Sequence, residues 1–384
     1  MTPRSLARDL APRQAHYARI ATALDGMSSL TFMLVPMTSP IGFAVVGTGM
    51  IAEVHAQAIK DTPEARLAAV WTRSAEKREE FAGRFGCRAA ESLAALVADP
   101  EIRAVTVATP SGAHAEIAIP FLEAGKAVLC EKPLEVSLEA VDRILAAAQR
   151  GGGVLAGVFQ MRLGRGARLL KDAIEAGRFG RLTLCSAYIK WWRSPEYYAS
   201  SSWKGTLKLD GGGALINQGI HAVDLLQWVA GLPAEVSSFS GTLAHTGIEA
   251  EDTIVATLRY PHGGLGVIEA ASSAWPGSDL RIEIMGSRGS AVLVNDSIAR
   301  WEFAEPLPDD DRIRSDFAAS GTMKVGSGDP RGMSWNEHRV QVGDLARALL
   351  EGRPPMIPGA EARRAVQLVM AIYESARSGR TVRL

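Results

Sequence analysis

Three cysteines in 384 residues, Cys87, Cys130 and Cys185, are too few and too scattered for a disulfide framework. Their scarcity fits a reducing, cytoplasmic compartment. Neither sign of charge is in excess, because 42 Lys and Arg balance 42 Asp and Glu. A general nucleic-acid binder carries a basic surplus, so no nucleic-acid partner is expected. No apolar run reaches the roughly 18 residues of a membrane span, so no membrane partner is expected either. Zinc-like Cys/His spacing is missing, and so are G-x-S-x-G and Ser-His-Asp arrangements. Neither a metal site nor an acyl-enzyme is therefore expected. Lysine is scarce too, at nine of the 42 basic residues. What is present, 47% hydrophobic and 22% charged residues, suits a globular protein, and the length suits two domains.

Residues 1–40 differ from the rest. They carry Arg4, Arg8, Arg13 and Arg19 and end in a short apolar patch over 30–35. The Pro36–Pro40 stretch after the patch is not a small-residue cleavage pattern. The segment reads as a loose tail or an over-extended start with the working initiator at Met37, a targeting segment being the alternative.

From Ile41 the pattern alternates. Strands are expected over 41–46, 67–71, 104–108, 128–130 and 154–159. Helices are expected over 50–60, 75–85 (N-capped by Ser74), 113–124 and from Leu138 to the Gly151-Gly152-Gly153 break. This βα spacing implies a doubly wound parallel sheet over 41–160. Beyond Gln160 the grammar changes. Strands over 182–191, 234–245, 253–260, 264–271, 280–285 and 291–294 surround one helical stretch at 213–229. Further helices fall at 167–176, 335–350 and 360–378. Residues 161–384 thus read as an α+β domain with a large, open, mostly antiparallel sheet.

The first strand runs into Gly47-Thr48-Gly49-Met50-Ile51-Ala52, a G-x-G-x-x-A loop. Gly47 makes the turn, Gly49 lets a pyrophosphate approach the backbone, and Ala52 lets the helix pack close. The helix N-terminus adds free N–H groups and a positive dipole end. The loop follows a strand and opens a βα series, which marks a dinucleotide site. At the end of the second strand, where an NAD site usually places a carboxylate, the chain reads Thr72-Arg73-Ser74, with Lys77 nearby. Arg73 suits a 2′-phosphate, so NADP is favoured over NAD, while a solvated Arg73 would tolerate either.

The loop with His55, then Thr109-Pro110-Ser111 with His114, then Glu131-Lys132-Pro133 resemble the Gfo/Idh/MocA oxidoreductases. So do Asp210-Gly-Gly-Gly-Ala214 running into Gly219-Ile-His221-Ala-Val-Asp224 and the ending Tyr373-Glu-Ser-Ala-Arg-Ser-Gly379. The match runs in order from Ile41 to Leu384. The resemblance implies a Rossmann domain, NAD(P), and a sugar, inositol or sugar-nucleotide alcohol as substrate. It also implies a homodimer or homotetramer formed through the open sheet. Thr109, Pro110, His114 and Glu131 fall at its cofactor side, and His55 and His114 pack around the cofactor loop.

Lys132 lies just past a strand's carboxyl end, where ligands bind, and an ammonium there stabilises a developing alkoxide. His221 titrates near neutrality and can take the alcohol proton. On a regular helix Asn217, His221 and Asp224 share a face, and Asp224 would orient the ring. Many members of the family carry Asp where this chain has Asn217. Asparagine cannot accept a proton, so proton chemistry would fall on His221 with Lys132 assisting. Asn217 can still bind a substrate hydroxyl. Arg162, Trp192, Arg193 and Tyr198 are further substrate candidates, the aromatics lining either a sugar site or the sheet's core. His16 lies in the tail, and His245, His262 and His338 show no partner pattern. Rival uses of this site are a redox-cycling lyase or hydratase, an imine reductase, or a non-catalytic cofactor sensor.

Overall fold

Strand β1 (Ile41–Val46) has six buried residues in a row, the pattern of a strand covered on both faces. It leads into α1 (Met50–Lys60), β2 (Ala65–Trp71), α2 (Ala75–Phe85), β3 (Arg88–Ala89) and α3 (Leu93–Ala98). Then come β4 (Ala104–Val107), α4 (His114–Glu123), β5 (Ala127–Cys130), α5 (Leu138–Gly151) and β6 (Val154–Gly157). The computed structural model describes residues 39–320 and 335–384. All but the last two residues of the tail expected at 1–40 therefore lie outside the described residues.

The six strands pair in parallel in the order β3-β2-β1-β4-β5-β6. The winding reverses at β1 and β4, and the crevice at their carboxyl ends is where such sheets hold ligands. Ser74, Ser92 and Ser137 each accept the backbone N–H of the third residue on, which fixes where α2, α3 and α5 begin.

The second half opens with α6 (Arg165–Glu175), β7 (Leu182–Lys190) and α7 (Pro195–Ala199). A π-helical turn (Ala214–Gly219) then runs directly into α8 (Ile220–Ala230). Strands β8 (Glu235–Gly241), β9 (Thr253–Arg259), β10 (Leu265–Ala271), β11 (Arg281–Gly286), β12 (Gly289–Val294) and β13 (Ser297–Phe303) follow. The chain closes with α9 (Asp310–Ser320), α10 (Asn336–Glu351), α11 (Gly359–Ser378) and β14 (Val382–Arg383). The eight-stranded sheet has the order β13-β12-β11-β7-β10-β9-β8-β14, and only β7–β10 is parallel. In β9, Ile254, Ala256 and Leu258 are buried against the helices, while Val255, Thr257 and Arg259 face outward. That outer face also presents Leu184, Leu265 and Phe239, the last 84% exposed.

The sequence pattern missed β3, α3, α7, β13, α9 and β14. Most are short, and α9 is polar with little beyond Ile313 and Phe317 to bury. The helix expected at 335–350 is α10. Its Val342, Leu345 and Ala346 share a core with Ile41, Phe43 and Ile59 of the first half. Gln341 Nε2 donates to the Gly157 carbonyl at 3.1 Å, and the Gly157 N–H donates to the Ile357 carbonyl at 3.0 Å. The last helices thus stitch the end of the chain to the edge of the first sheet, and 40–384 form one compact unit. No helix among the described residues is long and apolar enough to cross a membrane.

Candidate active site

The phosphate loop is shaped by close packing on one side and open space on the other. Gly47 has φ +119°, and a Cβ there would lie 2.3 Å from the Ala108 carbonyl of the neighbouring strand end. Only glycine fits that backbone and that approach. Gly49 is the extended N-cap of α1 and makes no side-chain cap bond. A Cβ on Gly49 would meet nothing within 4 Å, so the helix N-terminus faces open space. Thr48 is half-buried, Met50 is exposed, Ile51 is half-buried and Ala52 is fully buried behind them. Uncapped N–H groups before a cleft are what a pyrophosphate requires, so the loop fits the dinucleotide expected.

The ribose end is less committed. Ser74 Oγ accepts the Lys77 N–H at 3.3 Å and so serves as a helix cap, with the Lys77 side chain in solvent. The Thr72 carbonyl accepts Arg78 Nη1 at 3.1 Å. Arg73 is 77% exposed, and its Nη2 stands 3.7 Å from Glu116 Oε2. A 2′-phosphate beside Arg73 would therefore meet a carboxylate as well.

Behind the cofactor side lies a clamp whose parts are far apart in sequence. Glu131 follows β5 and is buried. Its Oε1 receives His55 Nε2 of α1 at 2.9 Å and lies 3.5 Å from His338 Nε2 of α10. Its Oε2 accepts the Lys132 backbone N–H at 3.2 Å. Burial works against this carboxylate, but the two imidazoles outweigh it and hold Glu131 well below the usual range. His338, read in the sequence as partnerless, is thus brought by the fold to within 3.5 Å of Glu131. The three side chains also present metal-type donors within 4.8 Å of one another, a grouping no sequence spacing announced. His114 joins the neighbouring loop to the lysine turn. Its Nδ1 lies 2.9 Å from the Pro133 carbonyl and its Nε2 3.0 Å from the Thr109 carbonyl. Burial lowers the pKa of this ring, and a neutral ring donates to only one of the two carbonyls. Pro110 N-caps the short 3-10 turn between β4 and α4.

Lys132 sits on the turn after β5, and its Nζ donates to the main-chain carbonyl of Asn217 at 3.1 Å. Burial lowers its pKa, Glu131 and Asp210 pull it back up, and Arg193 pushes it down. His221 follows in the first turn of α8. Burial, then the neighbouring Lys132 charge, lowers its pKa to about 3, so the ring is neutral across the working range. Its Nδ1 is buried without a partner, and its Nε2 lies 3.4 Å from the amide of Gln160. Gln160, marked in the sequence only as the point where the pattern changes, comes from the turn after β6. Its place just beyond a strand's carboxyl end was the available signal.

Two expectations need correcting. Asp224 does not orient His221: its carboxylate is taken by Arg162, at 2.6 Å to Nε and 2.5 Å to Nη2, and by Gln227 at 3.2 Å. Arg162, expected at the substrate, is itself only 5% exposed and also reaches Glu361 at 3.3 Å. A buried guanidinium demands carboxylate partners, and Asp224 satisfies that demand first. Nor do Asn217, His221 and Asp224 form one polar stripe. The π-helical turn holds Asn217 out of the register of α8, and each of the three side chains has a different partner.

The aromatic segment after β7 forms a wall. Trp192 stacks on His245 with centroids 5.6 Å apart, and Tyr198 donates to or accepts from Ser272 Oγ at 2.7 Å. His245, another residue without a sequence signal, lies 3.1 Å from Asp252 and 2.7 Å from the Arg193 carbonyl. Arg193 donates twice to Gln218 Oε1, at 3.0 and 2.7 Å. Gln218 in turn donates to the Tyr197 hydroxyl and to Asn217 Oδ1. Asn217 Nδ2 donates to Asp210 Oδ1 at 2.6 Å. Asp210 entered the sequence reading only as the head of the Asp210–Ala214 motif, without a role, and Gln218 and Tyr197 were given none either, because the bonds that link the three form only in the fold.

Residues 41–158 match the model of an oxidoreductase family with an NAD-binding Rossmann fold, and 167–292 match the GFO/IDH/MocA C-terminal domain. The chain belongs to the Gfo/Idh/MocA family. It is therefore an oxidoreductase with an NAD-binding Rossmann half. The WlbA dehydrogenase of Bordetella pertussis, in complex with NADH and UDP-GlcNAcA, is 34% identical. That likeness covers 90% of this chain and 99% of that one at a TM-score of 0.80. The myo-inositol 2-dehydrogenase of Thermotoga maritima is 29% identical over 65% of this chain and 74% of its own. A 2,7-anhydro-N-acetylneuraminate hydratase of Escherichia coli is 31% identical over 66% of this chain and 67% of its own.

Proposed function

We propose that the protein transfers hydride between a nicotinamide and a secondary alcohol or ketone on a sugar-like ring. The observation that carries this reading is the meeting of Lys132 and His221. One comes from the first sheet and the other from α8, and the lysine Nζ is bonded to the carbonyl four residues before the histidine. Bound nicotinamide supplies the hydride acceptor or donor. Lys132 hydrogen-bonds the reacting oxygen and stabilises its developing negative charge. The neutral His221 ring takes the hydroxyl proton in oxidation and returns it in reduction. Asn217 and Gln218 hold the surrounding wall, and Trp192, Arg193 and Tyr198 border the substrate. Removing the Lys132 ammonium or the His221 ring should lower kcat by ~10² to 10⁴ while NADH still binds. Lys132→Ala or His221→Ala with full turnover would overturn the assignment.

Arg193 and Lys204, whose Nζ lies 4.0 Å over the Tyr197 ring in the same aromatic wall, favour an anionic sugar derivative over a neutral polyol. UDP-GlcNAcA and myo-inositol, incubated with NAD⁺ and followed at the NADH absorbance band, separate the two classes. Arg73 supports NADP, but Glu116 opposes a 2′-phosphate, and the WlbA neighbour holds NADH, so NAD(H) is the better-supported cofactor. The hydratase relative keeps a redox-neutral cycle as the second reading. Its mark would be substrate turnover on co-purified cofactor with no net NADH. A homodimer through the outer face of the second sheet would cover Leu184, Val255, Leu265 and Phe239, and light scattering of the purified chain tests it. The free thiols of Cys87, Cys130 and Cys185 fit a reducing, cytoplasmic compartment.

A further inference from the structure

Asp210 lies on the Gly-rich turn ahead of the π-helical segment and is buried to 1% exposure. Both its oxygens are used. Oδ2 accepts the Gly205 backbone N–H at 2.8 Å, and Oδ1 accepts Asn217 Nδ2 at 2.6 Å. The carbonyl of that same Asn217 receives Lys132 Nζ at 3.1 Å. A buried carboxylate is costly unless a cation balances it, and the loop bond to Gly205 requires only a neutral acceptor. The charge therefore needs a further reason. We propose that Asp210 is a positioning residue that sets the ionisation and placement of Lys132 through Asn217. This inference rests on the assignment of Lys132 to the reacting oxygen.

The charged groups around Lys132 come from several elements. Glu131 precedes it on the same turn, Arg193 approaches from beyond β7, and His221 faces it from α8. Glu131 is held by His55 and His338, and Arg193 pushes the ammonium toward neutrality. Asp210 is the counter-charge from the substrate half: burial pushes its pKa up, and the bonds from Gly205 and Asn217 with the nearby Lys132 and Lys204 charges pull it back down. Without it, a half-buried lysine facing Arg193 loses its proton more easily.

The hydrogen-bond pattern supplies a clean test. Asp210→Asn places two amide donors face to face and removes the charge. Adding Asn217→Asp exchanges the partners. The amide introduced at position 210 then donates to the carboxylate introduced at position 217 and still accepts from Gly205, while Gln218 still donates to that carboxylate. The swap keeps every bond and restores the charge. Lys132 is titrated in the NAD⁺-loaded protein by competitive acetic anhydride labelling between pH 7 and 11, read by mass spectrometry. The midpoint should fall by about one unit in D210N and return in D210N/N217D. An unmoved midpoint in D210N, or no return in the swap, overturns the proposal. Should D210N fail to fold, the swap alone decides. The proposal requires a midpoint at or above the parent's, and one displaced downward by a unit refutes it. Labelling reports Lys132 without a turnover assay, whereas a fully active Lys132→Ala would fault the catalytic reading itself.

Discussion

Replacing Arg162 with alanine separates two roles for this residue. The sequence reading places it on the substrate, and the structure places it in a buried ion pair. Its guanidinium meets Asp224 through two bonds of 2.6 and 2.5 Å, with Glu361 at 3.3 Å and the Trp228 ring 5.4 Å away. Asp224 is 1% exposed, so truncating Arg162 strands a carboxylate with only Gln227 for company. Breaking a buried pair from one side costs about 3–5 kcal/mol. At about 2 °C per kcal/mol for a chain of this size, Tm should fall by roughly 6–10 °C. The loss should depend on pH. Burial already pushes Asp224 up, and loss of Arg162 removes the main opposing influence. A carboxyl whose folded pKa is raised loses stability as pH rises through that value, so the deficit should be larger at pH 8 than at pH 5. Arg162→Met with Asp224→Leu should recover much of the loss, since both charges leave together. Differential scanning calorimetry measures all three proteins, and NADH binding checks that the cofactor half is intact. An R162A protein within ~2 °C of the parent, with KM raised about tenfold, would refute the buried-pair reasoning and return Arg162 to the substrate.

Glycines of the phosphate loop should behave differently. Gly47→Ala meets the Ala108 carbonyl at a strained φ and should cost at least about 2 kcal/mol of stability, read as Tm. Gly49→Ala has open space, so Tm should hold while the NADH Kd rises at least about tenfold. For His221, folded near pKa 3 against about 6.5 unfolded, stability is lost as pH falls through that window. By pH 5 the parent should have lost about 2 kcal/mol that His221→Gln does not lose, as read by urea unfolding at each pH. Consistent with a neutral ring, kcat/KM should show no inflection near pH 6.5 that vanishes in H221Q. Arg73→Ala should leave the KM for NAD⁺ within about twofold, because the side chain is exposed and shared with Glu116. A tenfold rise in the KM for NADP⁺ alone would restore the 2′-phosphate role of Arg73.

The local elements were legible where one periodicity held over a whole segment. The short apolar, β-branched run Ile41–Val46 makes β1 readable as a parallel strand, and Ser74, a residue type that caps helices, announces α2. The glycine loop and the Glu131-Lys132-Pro133 turn are short-range features whose chemistry travels with their sequence. The 214–230 stretch was legible as helix but not as two kinds of helix, because a π turn leaves no distinct residue pattern. That one irregularity undid the shared face expected for Asn217, His221 and Asp224.

Local sequence was enough for the order of βα units, the uncapped helix end behind Gly49, and the choice of Lys132 and His221 as the pair to look for. Each depends on backbone propensity or on a motif a few residues long. The partners of buried charge came from the fold. Glu131 is clamped by His55 from 76 residues upstream and approached by His338 from the returning α10. Arg162 claims Asp224, and Asp210 reaches Lys132 through Asn217. Desolvated charges bond whatever the fold places within about 3 Å, and separation along the chain carries no trace of that distance.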